Sequence, residues 1–353
     1  MEAMIVSTPY KFSQFSGVKI DGIASCVPGK MISNSDLENI FGEKDMRRFG
    51  KSTGILERRV VTEETALDLC ITAARELEKN GSDFETIEAV IFVSQTPDYV
   101  LPASAIIAQD RLGIPRGVPA FDVGLGCSGY VYGMWLAASL ISSGAVRSVL
   151  LLAGDTISKK TDSEDRSTRP IFGDAGTATI ISASESSEFW SFAMGSDGAG
   201  FDSIIIPNSA ARQRELTEYG LDKNLIDNKL YMDGQAVFNF TSAVIPELIK
   251  ELMERVGWAP DDLGGLYLHQ ANKLILNTIG RKAGIAAEKI ASNLDRFGNT
   301  SCASIPLALV TSPVENEPHK AVLCGFGVGL SWGALALEIG EFPKLMTESS
   351  AVI

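Results

Sequence analysis

The sequence lacks the features that mark several classes of protein. It has two histidines and five cysteines among 353 residues, and no two of the cysteines form a CxxC pair. A disulfide framework or a structural zinc site is therefore not expected. No run reaches the roughly 18 continuous apolar residues that a membrane-spanning helix requires. The first residues lack a basic stretch followed by an apolar one, so we expect no secretory signal and a cytoplasmic location.

Positive charge is also scarce. The formal net charge is −13, because 44 acidic residues outnumber 31 basic ones. Nonspecific binding to nucleic acid needs a basic surface, so this function is not expected. An acidic protein can still bind an acidic protein partner through one local basic patch.

What the sequence does have is a regular alternation of strand and helix patterns. Short apolar runs, predicted to be buried strands, are separated by segments with helical periodicity. The predicted helices include Thr65–Lys79, Ser128–Ile141 and Ala236–Val256. This alternation predicts an α/β fold. We expect four parts: an N-terminal extension outside the main fold (1–17), an N-terminal half (18–185), a C-terminal half (186–341) and a C-terminal tail (342–353).

The two halves repeat the same order of elements. The run IEAVIFVSQTP corresponds to LGGLYLHQAN, and FDVGLGCSG corresponds to SNLDRFGNTSCAS. The strand predicted at Ala120–Val123 thus has a counterpart predicted at Ile290–Leu294. Such a repeat favours gene duplication, although chance similarity between β-α-β runs is the alternative. Because ligands bind beyond the carboxyl ends of strands in open α/β sheets, we expect the turns after equivalent strands to converge.

Cys127 lies in the first of these turns, DVGLGCSGY, between a predicted strand and a predicted helix. A thiol at the start of a helix faces unpaired backbone N–H groups and the positive end of the helix dipole. Both favour the nucleophilic thiolate. The same N–H groups can stabilise an oxyanion. From the local sequence alone, a small buried cysteine that only packs is an equally good interpretation.

Two polar residues lie in the other turns. His269 ends a predicted strand in LHQAN, and Asn299 lies in the turn DRFGNTS. A buried structural histidine and a helix-capping asparagine are the alternative interpretations. Near a nucleophilic cysteine, the two side chains can donate hydrogen bonds to a thioester oxygen without adding charge. His319 lies in a polar stretch and is expected at the surface. The run CGFGVGLSWG does not match a dinucleotide fingerprint, and we interpret it as a backbone wall of the same site.

The segments GCSG, HQAN and GNTS, in this order, resemble the β-ketoacyl-acyl carrier protein synthase III family of the thiolase-like superfamily. The segments STGILERR, FGDAGTA, MDGQAVF and FGVGLSWG also match, so the resemblance covers nearly the whole chain. It implies a five-layered α-β-α-β-α fold, a homodimer, and chemistry that needs no metal or redox cofactor.

The resemblance also implies a mechanism. Cys127 would be acylated by an acyl-CoA or a similar thioester. A malonyl group on an acyl carrier protein would then lose its carboxylate, and His269 and Asn299 would stabilise the resulting enolate. That carbanion would attack the acyl group on Cys127, and the backbone N–H groups of Cys127 and Val328 would hold the oxyanion.

More distant positions are assigned by the same resemblance. Arg166 would lie on one side of the CoA adenine, and Arg48 stands about where many members have a tryptophan on the other side. This departure leaves open whether the donor is bound to CoA or to a carrier. Leu101 would reach across the dimer into the partner's acyl pocket. The helix after HQAN would dock the carrier protein through basic residues. These residues are Lys273, Arg281 and Lys282.

Three other functions remain open from the sequence. A specialised acyltransferase would use the same acyl-cysteine to modify an amine, a hydroxyl or a sugar in a secondary-metabolite or surface-polysaccharide pathway. A cysteine hydrolase also uses Cys, His and Asn, but GCSG lacks the local signature of a cysteine protease. A partner subunit without activity would have no need of all three residues.

Overall fold

A computed structural model describes residues 10–213, 217, 228–312 and 318–349, and these residues form two large sheets with helices around them. The strands are β1 (Lys11–Ser16), β2 (Val18–Pro28), β3 (Met31–Ser33), β4 (Glu57–Arg59), β5 (Ala89–Val93), β6 (Ala120–Val123), β7 (Ser148–Asp155), β8 (Ala175–Ala183), β9 (Phe189–Ser196), β10 (Ile204–Ile205), β11 (Tyr231–Met232), β12 (Gly265–Leu268), β13 (His319–Gly327), β14 (Ser331–Ile339) and β15 (Lys344–Ser349). The α-helices are α1 (Glu38–Phe41), α2 (Glu43–Thr53), α3 (Ala66–Lys79), α4 (Ser104–Arg111), α5 (Gly129–Ser142), α6 (Gly234–Arg255), α7 (Lys273–Ala283), α8 (Leu294–Phe297) and α9 (Ser304–Thr311). None of these helices is long and apolar enough to cross a membrane.

Side-chain caps explain where several helices begin. The Thr65 hydroxyl accepts a hydrogen bond from the Asp68 N–H, and the Asp68 carboxylate accepts one from the Thr65 N–H, which forms a capping box before α3. The Asp233 carboxylate caps α6 by accepting hydrogen bonds from the N–H groups of Gln235 and Ala236. The predicted helices at 65–79, 128–141 and 236–256 are confirmed, with ends shifted by one or two residues.

The two large sheets share one topology. The six-stranded sheet has the order β15-β2-β8-β7-β5-β6, and the five-stranded sheet has the order β1-β9-β14-β13-β12. In the first sheet β5 is parallel to β7, and β7, β8 and β2 are successively antiparallel. In the second sheet β12, β13, β14 and β9 repeat these directions. The prediction of two duplicated halves is therefore confirmed.

One predicted strand is absent. The prediction of a strand at Ile290–Leu294 is wrong, since only a single parallel bridge joins Ile290 to Leu266 and residue 294 already begins α8. The reason is a side chain that substitutes for a neighbouring strand. Gln270 Oε1 accepts the hydrogen bond from the Asn293 N–H at 3.2 Å. The chain turns away from the sheet at this point instead of continuing along it.

Both terminal segments belong to the sheets, so the prediction that they lie outside the main fold is wrong for residues 11–16 and 344–349. Strand β1 pairs antiparallel with β9, and β15 pairs parallel with β2. The Ser349 hydroxyl donates to Glu64 at 2.8 Å and further anchors β15. Each strand has six residues at a sheet edge and no continuous apolar pattern, which explains why its sequence resembles a tail. Residues 1–9 and 350–353 lie outside the described residues.

The sheets and helices stack in five layers, as predicted. Helices α5 and α9 lie between the two sheets, α3 and α4 cover the outer face of the six-stranded sheet, and α6 and α7 cover the outer face of the five-stranded sheet. Because side chains alternate along a strand, Ile91 packs in the central layer while Phe92 packs against α3 and α4. Both faces of each sheet are therefore buried, which keeps the carboxyl ends of the strands in fixed positions.

Candidate active site

A cavity of about 540 Å³ lies where the carboxyl ends of strands from both sheets meet. Cys127, His269 and Asn299 all line it. Cys127 follows β6, His269 follows β12, and Asn299 follows α8 in the segment that replaces the missing strand. Three residues from separate turns are thus brought to one place. The structure agrees here with the convergence that the repeat predicts.

Cys127 lies under the end of β13. The residue is 8% exposed and lies two positions before α5. Gly327 crosses directly over it, and a Cβ atom added at Gly327 would lie 3.0 Å from the Cys127 sulfur. At Gly325, an added Cβ atom would lie 2.7 Å from the Cys127 carbonyl oxygen. The glycines of this strand are therefore required by the close approach of its backbone to the cysteine.

Burial decides the ionisation of Cys127. It raises the pKa of the thiol to about 12, and the charge of Asp155 acts in the same direction. Hydrogen bonds from the Val328 N–H, the Ser301 hydroxyl and the Cys127 N–H lower the pKa but do not outweigh burial. The N–H groups expected at this turn are present. They favour the thiolate, as expected, but burial outweighs them, so the resting side chain is a thiol.

The ring of His269 is fixed by a hydrogen bond to the start of α9. Its side chain is 2% exposed, and its Nδ1 lies 2.8 Å from the hydroxyl of Ser304, the first residue of α9. The rings of His269 and Phe326 are nearly perpendicular, with an interplanar angle of 85° and 5.6 Å between their centroids. Burial lowers the pKa of His269 to about 3, while the Ser301 carbonyl raises it slightly. The imidazole is therefore neutral near pH 7 and can donate or accept a hydrogen bond.

Asn299 is fixed through its backbone and its side-chain oxygen. Its N–H donates to the Ile171 carbonyl at 2.9 Å, and its carbonyl accepts from the Gly173 N–H at 3.0 Å. The side-chain Oδ1 accepts the Ser301 N–H at 2.9 Å. With the oxygen occupied in this manner, the amide NH₂ group is left to donate into the cavity.

A buried arginine, Arg58, hydrogen-bonds to the segment that binds the Asn299 backbone. The guanidinium of Arg58, 1% exposed, donates to the Pro170 carbonyl at 2.6 Å and to the Asn34 side chain at 2.7 Å. Residue 170 directly precedes the residues that bond to the Asn299 backbone. Sequence reasoning matched the segment STGILERR to the family but assigned no role to Arg58, whose effect reaches the site through a contact 112 residues away in sequence.

Sequence reasoning also missed two serines. Ser301 and Ser304 follow Asn299 in GNTSCAS; the first contacts the Cys127 sulfur and the second contacts the His269 ring. Ser301 has a φ of +53°, a left-handed conformation that is uncommon for a residue other than glycine. The only signal in the sequence was their position in the same turn as Asn299.

The rest of the cavity wall is mainly apolar. Its buried hydrophobic residues include Ile157, Phe172, Ile204, Leu230 and Val237. Cys127, His269, Asn299 and Ser301 supply polar groups for chemistry, while the apolar lining suits an apolar chain. Among residues 10–213, 217, 228–312 and 318–349, no group of three or more His, Cys, Asp or Glu side chains is placed to hold a metal ion.

The arginines expected near CoA lie outside the cavity wall. Arg166 is exposed and donates to Asp45 of α2 at 2.7 Å. Arg48 is also exposed and lies on α2. The ion pair therefore places Arg166 beside the helix that carries Arg48, at the surface. The structure does not bring either arginine to Cys127.

The other expected binding residues are at the surface too. Leu101 is 80% exposed, next to exposed Tyr99 and Val100. The basic residues of α7 are exposed, although the Lys282 ammonium donates to the Ser242 carbonyl at 2.8 Å. These residues are Lys273, Arg281 and Lys282. Asn272, the last residue of HQAN, caps α7 by accepting the Ile275 N–H, which ties the orientation of this helix to the turn that holds His269.

Comparison with known proteins agrees with this arrangement. Models of the N- and C-terminal domains of 3-oxoacyl-[acyl-carrier-protein] synthase III match residues 121–198 and 253–339. A β-ketoacyl-[acyl-carrier-protein] synthase III from Streptococcus equi subsp. zooepidemicus is 35% identical over 91% of this chain and 99% of its own length. The enzyme of the same name from Symbiobacterium thermophilum is 36% identical over 92% of this chain and 98% of its own length.

Solved structures show the same similarity in three dimensions. A 3-oxoacyl-(acyl-carrier protein) synthase from Burkholderia xenovorans is 37% identical and superposes with a TM-score of 0.94, covering 97% of this chain and 99% of that chain. A synthase III from Pseudomonas aeruginosa is 32% identical, with a TM-score of 0.82 over 92% of this chain and 99% of that chain. The similarity extends over both halves and the cavity between them.

Proposed function

We propose a decarboxylating condensation as the reaction of this chain, which belongs to the 3-oxoacyl-[acyl-carrier-protein] synthase III family. One observation supports it most. A buried thiol, a neutral imidazole and a neutral side-chain amide line one apolar cavity. This combination suits a reaction in which a thioester oxygen carries negative charge only in short-lived intermediates.

In the first step, Cys127 takes the acyl group. Its sulfur attacks the carbonyl carbon of an acyl thioester, and the thiol proton passes to the leaving thiol. The N–H groups of Cys127 and Val328 already contact the sulfur, so they are placed to bind the oxygen of the tetrahedral intermediate. Because these donors belong to the backbone, the valine side chain does not affect their role.

In the second step, a malonyl thioester loses CO₂. The bond to the carboxylate breaks, and its electron pair forms an enolate on the thioester. The amide of Asn299 and the imidazole of His269 donate hydrogen bonds to the enolate oxygen. The α-carbon then attacks the acyl carbonyl on Cys127, the carbon–sulfur bond breaks, and the sulfur regains a proton from water. The apolar wall disfavours the malonyl carboxylate and so assists its loss.

The finer assignments rest on the same family membership. The malonyl group arrives on an acyl carrier protein that docks on Lys273, Arg281 and Lys282 of α7, which form a local basic patch on an acidic chain. The acyl donor is bound to CoA near Arg48 and Arg166, or to a carrier. The enzyme is a cytoplasmic homodimer in which Leu101, exposed in one protomer, reaches the partner. No cofactor is needed, since the thioester activates its own α-carbon.

Mass spectrometry of the intact protein tests the proposal. The wild-type chain is incubated with a panel of acyl-CoA and acyl-carrier thioesters, and malonyl-carrier protein is then added. We expect a mass increase by one acyl group, followed by its disappearance as CO₂ and a 3-oxoacyl product form. Cys127→Ala abolishes the mass increase. Cys70→Ala, which also removes a fully buried thiol, leaves it unchanged.

Two results would contradict the proposal. One is an acyl group that no donor places on Cys127. The other is transfer of the acyl group to an amine, a hydroxyl or a sugar without release of CO₂, which would favour the specialised acyltransferase instead.

A further inference from the structure

Val328 lies beside the reacting sulfur and also in the apolar wall of the cavity. Its N–H hydrogen-bonds to the Cys127 sulfur, and the residue before it, Gly327, crosses over that sulfur. Its side chain lines the cavity and packs against a cluster of buried apolar residues that also line it. These residues are Ile157, Phe172, Ile204, Leu230 and Val237. Val328 therefore borders both the thioester and the space for an apolar chain.

The backbone between β13 and β14 can carry a side chain at residue 328 but not at its neighbours. Gly327 and Gly329 have φ values of +155° and +138°, which disfavour any side chain. Val328 does not have a positive φ, so valine is accommodated there without backbone strain. In this loop, the side chain at position 328 is thus the one that can narrow the cavity next to Cys127.

Hydrogen bonds hold Val328 in its position. Its carbonyl oxygen accepts from the buried hydroxyl of Ser331 at 2.6 Å, and the hydroxyls of Ser331 and Ser128 are 2.7 Å apart. Because Ser331 gives its only proton to the carbonyl, Ser128 is the donor in the second bond. Ser128 directly follows Cys127, so the two bonds join the segments on either side of the sulfur. The branched valine side chain has few rotamers and cannot readily move aside.

Covalent geometry brings this side chain close to an acyl group on Cys127. The Val328 N–H holds the carbonyl oxygen at a donor-acceptor distance of about 2.9 Å. The valine Cβ is two bonds from the donating nitrogen, and the second carbon of the acyl chain is two bonds from the oxygen. The valine methyl groups and the start of the acyl chain therefore occupy neighbouring space. A methyl branch on the second carbon would compete with them for it.

We infer that the side chain of Val328 determines specificity by accepting acyl groups with a straight start and excluding those branched at the second carbon. The inference rests on the proposed function, in which Cys127 carries the acyl group. A straight chain passes the valine and continues along the apolar cluster. One additional methyl group in a hydrophobic pocket changes the rate constant for a substrate by roughly 10–200-fold, which sets the size of the expected effect.

The acylation of Cys127 by two isomers tests this directly. Butyryl and isobutyryl thioesters, on CoA and on carrier protein, have the same atoms and differ only in the branch at the second carbon. By intact mass, we expect the wild-type chain to react with the butyryl isomer roughly tenfold faster or more. Val328→Ala removes most of this preference. Val328→Thr keeps the shape of valine and therefore keeps the preference.

The matched control is Val256→Ala. It removes the same two methyl groups from another half-buried valine, one that packs against α6 and α7 and lies outside the cavity wall. We expect it to leave the preference between the isomers unchanged.

Disulfide exchange measures the same space without any acyl transfer. The thiolate of Cys127 attacks propyl or isopropyl methanethiosulfonate, displaces methanesulfinate and forms a mixed disulfide. The transferred sulfur takes the place of the acyl carbonyl carbon, so the isopropyl branch lies where the isobutyryl branch would lie. Labelling that is lost in Cys127→Ala is assigned to Cys127. We expect the ratio of propyl to isopropyl labelling rates to fall about tenfold in Val328→Ala.

A wild-type chain that reacts equally fast with both isomers would overturn the inference, and this result does not require that any variant fold. The same preference in wild type and Val328→Ala would overturn it too, as would loss of the preference in Val328→Thr. If the disulfide ratio changes as expected but no thioester acylates Cys127, the steric role of Val328 stands and the proposed function fails. If thioesters acylate Cys127 without preference, the reverse holds.

Discussion

The two halves of the molecule use the same sheet topology for different chemistry. In the N-terminal half, β6 extends the sheet and leads straight into Cys127 and α5. In the C-terminal half, the equivalent strand is reduced to one bridge at Ile290, and the chain turns through α8 to Asn299. The path through α8 places the Asn299 amide in the wall of the cavity. The same topology therefore places a thiol from one half and an amide from the other in one cavity.

Burial acts on the two sides of the site in opposite directions. It raises the pKa of Cys127 and lowers the pKa of His269, so that both are neutral at rest. Each side then supplies hydrogen-bond donors from a different source. The N-terminal half uses the backbone at Cys127, whereas the C-terminal half uses the side chains of His269 and Asn299 as well as the backbone at Val328. Because acylation uses the backbone donors and loss of CO₂ uses the side-chain donors, the two half-reactions should be separable by experiment.

The largest expected effect comes from Asn299→Asp. Aspartate keeps the oxygen that accepts the Ser301 N–H, so the turn is preserved, but it removes the NH₂ donor and adds negative charge. We expect CO₂ release from malonyl-carrier protein to fall roughly 100-fold or more, the range for loss of an oxyanion donor. Acylation of Cys127 remains near the wild-type rate. Release of ¹⁴CO₂ measures the loss of CO₂, and intact mass measures the acylation of Cys127. An equal decrease in the rates of both steps would contradict the assignment of the Asn299 amide to the loss of CO₂.

A smaller effect is expected where Gly327 of the C-terminal half contacts Cys127 of the N-terminal half. Gly327→Ala places a methyl group 3.0 Å from the Cys127 sulfur and 2.9 Å from its Cβ atom, and the φ of +155° at this position disfavours a side chain. We expect the free energy of unfolding to fall by about 1–3 kcal/mol, with slower acylation. Denaturant titration measures the loss. Gly340→Ala is the control, because an added Cβ atom there meets no atom within 4 Å.

The smallest effect is on the pH dependence of stability. The pKa of His269 is lowered from 6.5 to about 3 in the folded chain, so its contribution to stability is complete above pH 6.5 and is lost as the pH falls toward 3. At about pH 5.5 the loss is on the order of 1 kcal/mol. The pKa of Cys127 is raised from 9.0 to about 12, so its contribution is complete below pH 9 and is lost as the pH rises toward 12.

Urea titrations of two variants distinguish these contributions. His269→Gln should remove part of the acid-side loss and leave the alkaline side unchanged, while Cys127→Ala should do the reverse. If both variants changed the same side, the opposite effect of burial on the two residues would be disproved.

Much of this site was predictable because its residues lie in turns with strong local patterns. Cys127, His269 and Asn299 each follow an apolar run or a glycine, and together they match one family. Arg58 and Ser304 were not predictable in the same manner. Their importance comes from contacts with residues that are far away in sequence, such as Pro170 and His269.

The sequence by itself determined the α/β class and favoured two duplicated halves, because periodicity is a local property. Its resemblance to one family, through GCSG, HQAN and GNTS, pointed to Cys127, His269 and Asn299. Only the tertiary structure decided that the chain leaves the sheet after Ile290, that residues 11–16 and 344–349 are strands, and that Cys127 rests as a thiol. Each of these depends on which distant groups surround a residue and how completely they exclude water. Burial and hydrogen-bond partners of this kind arise only when the two halves pack together.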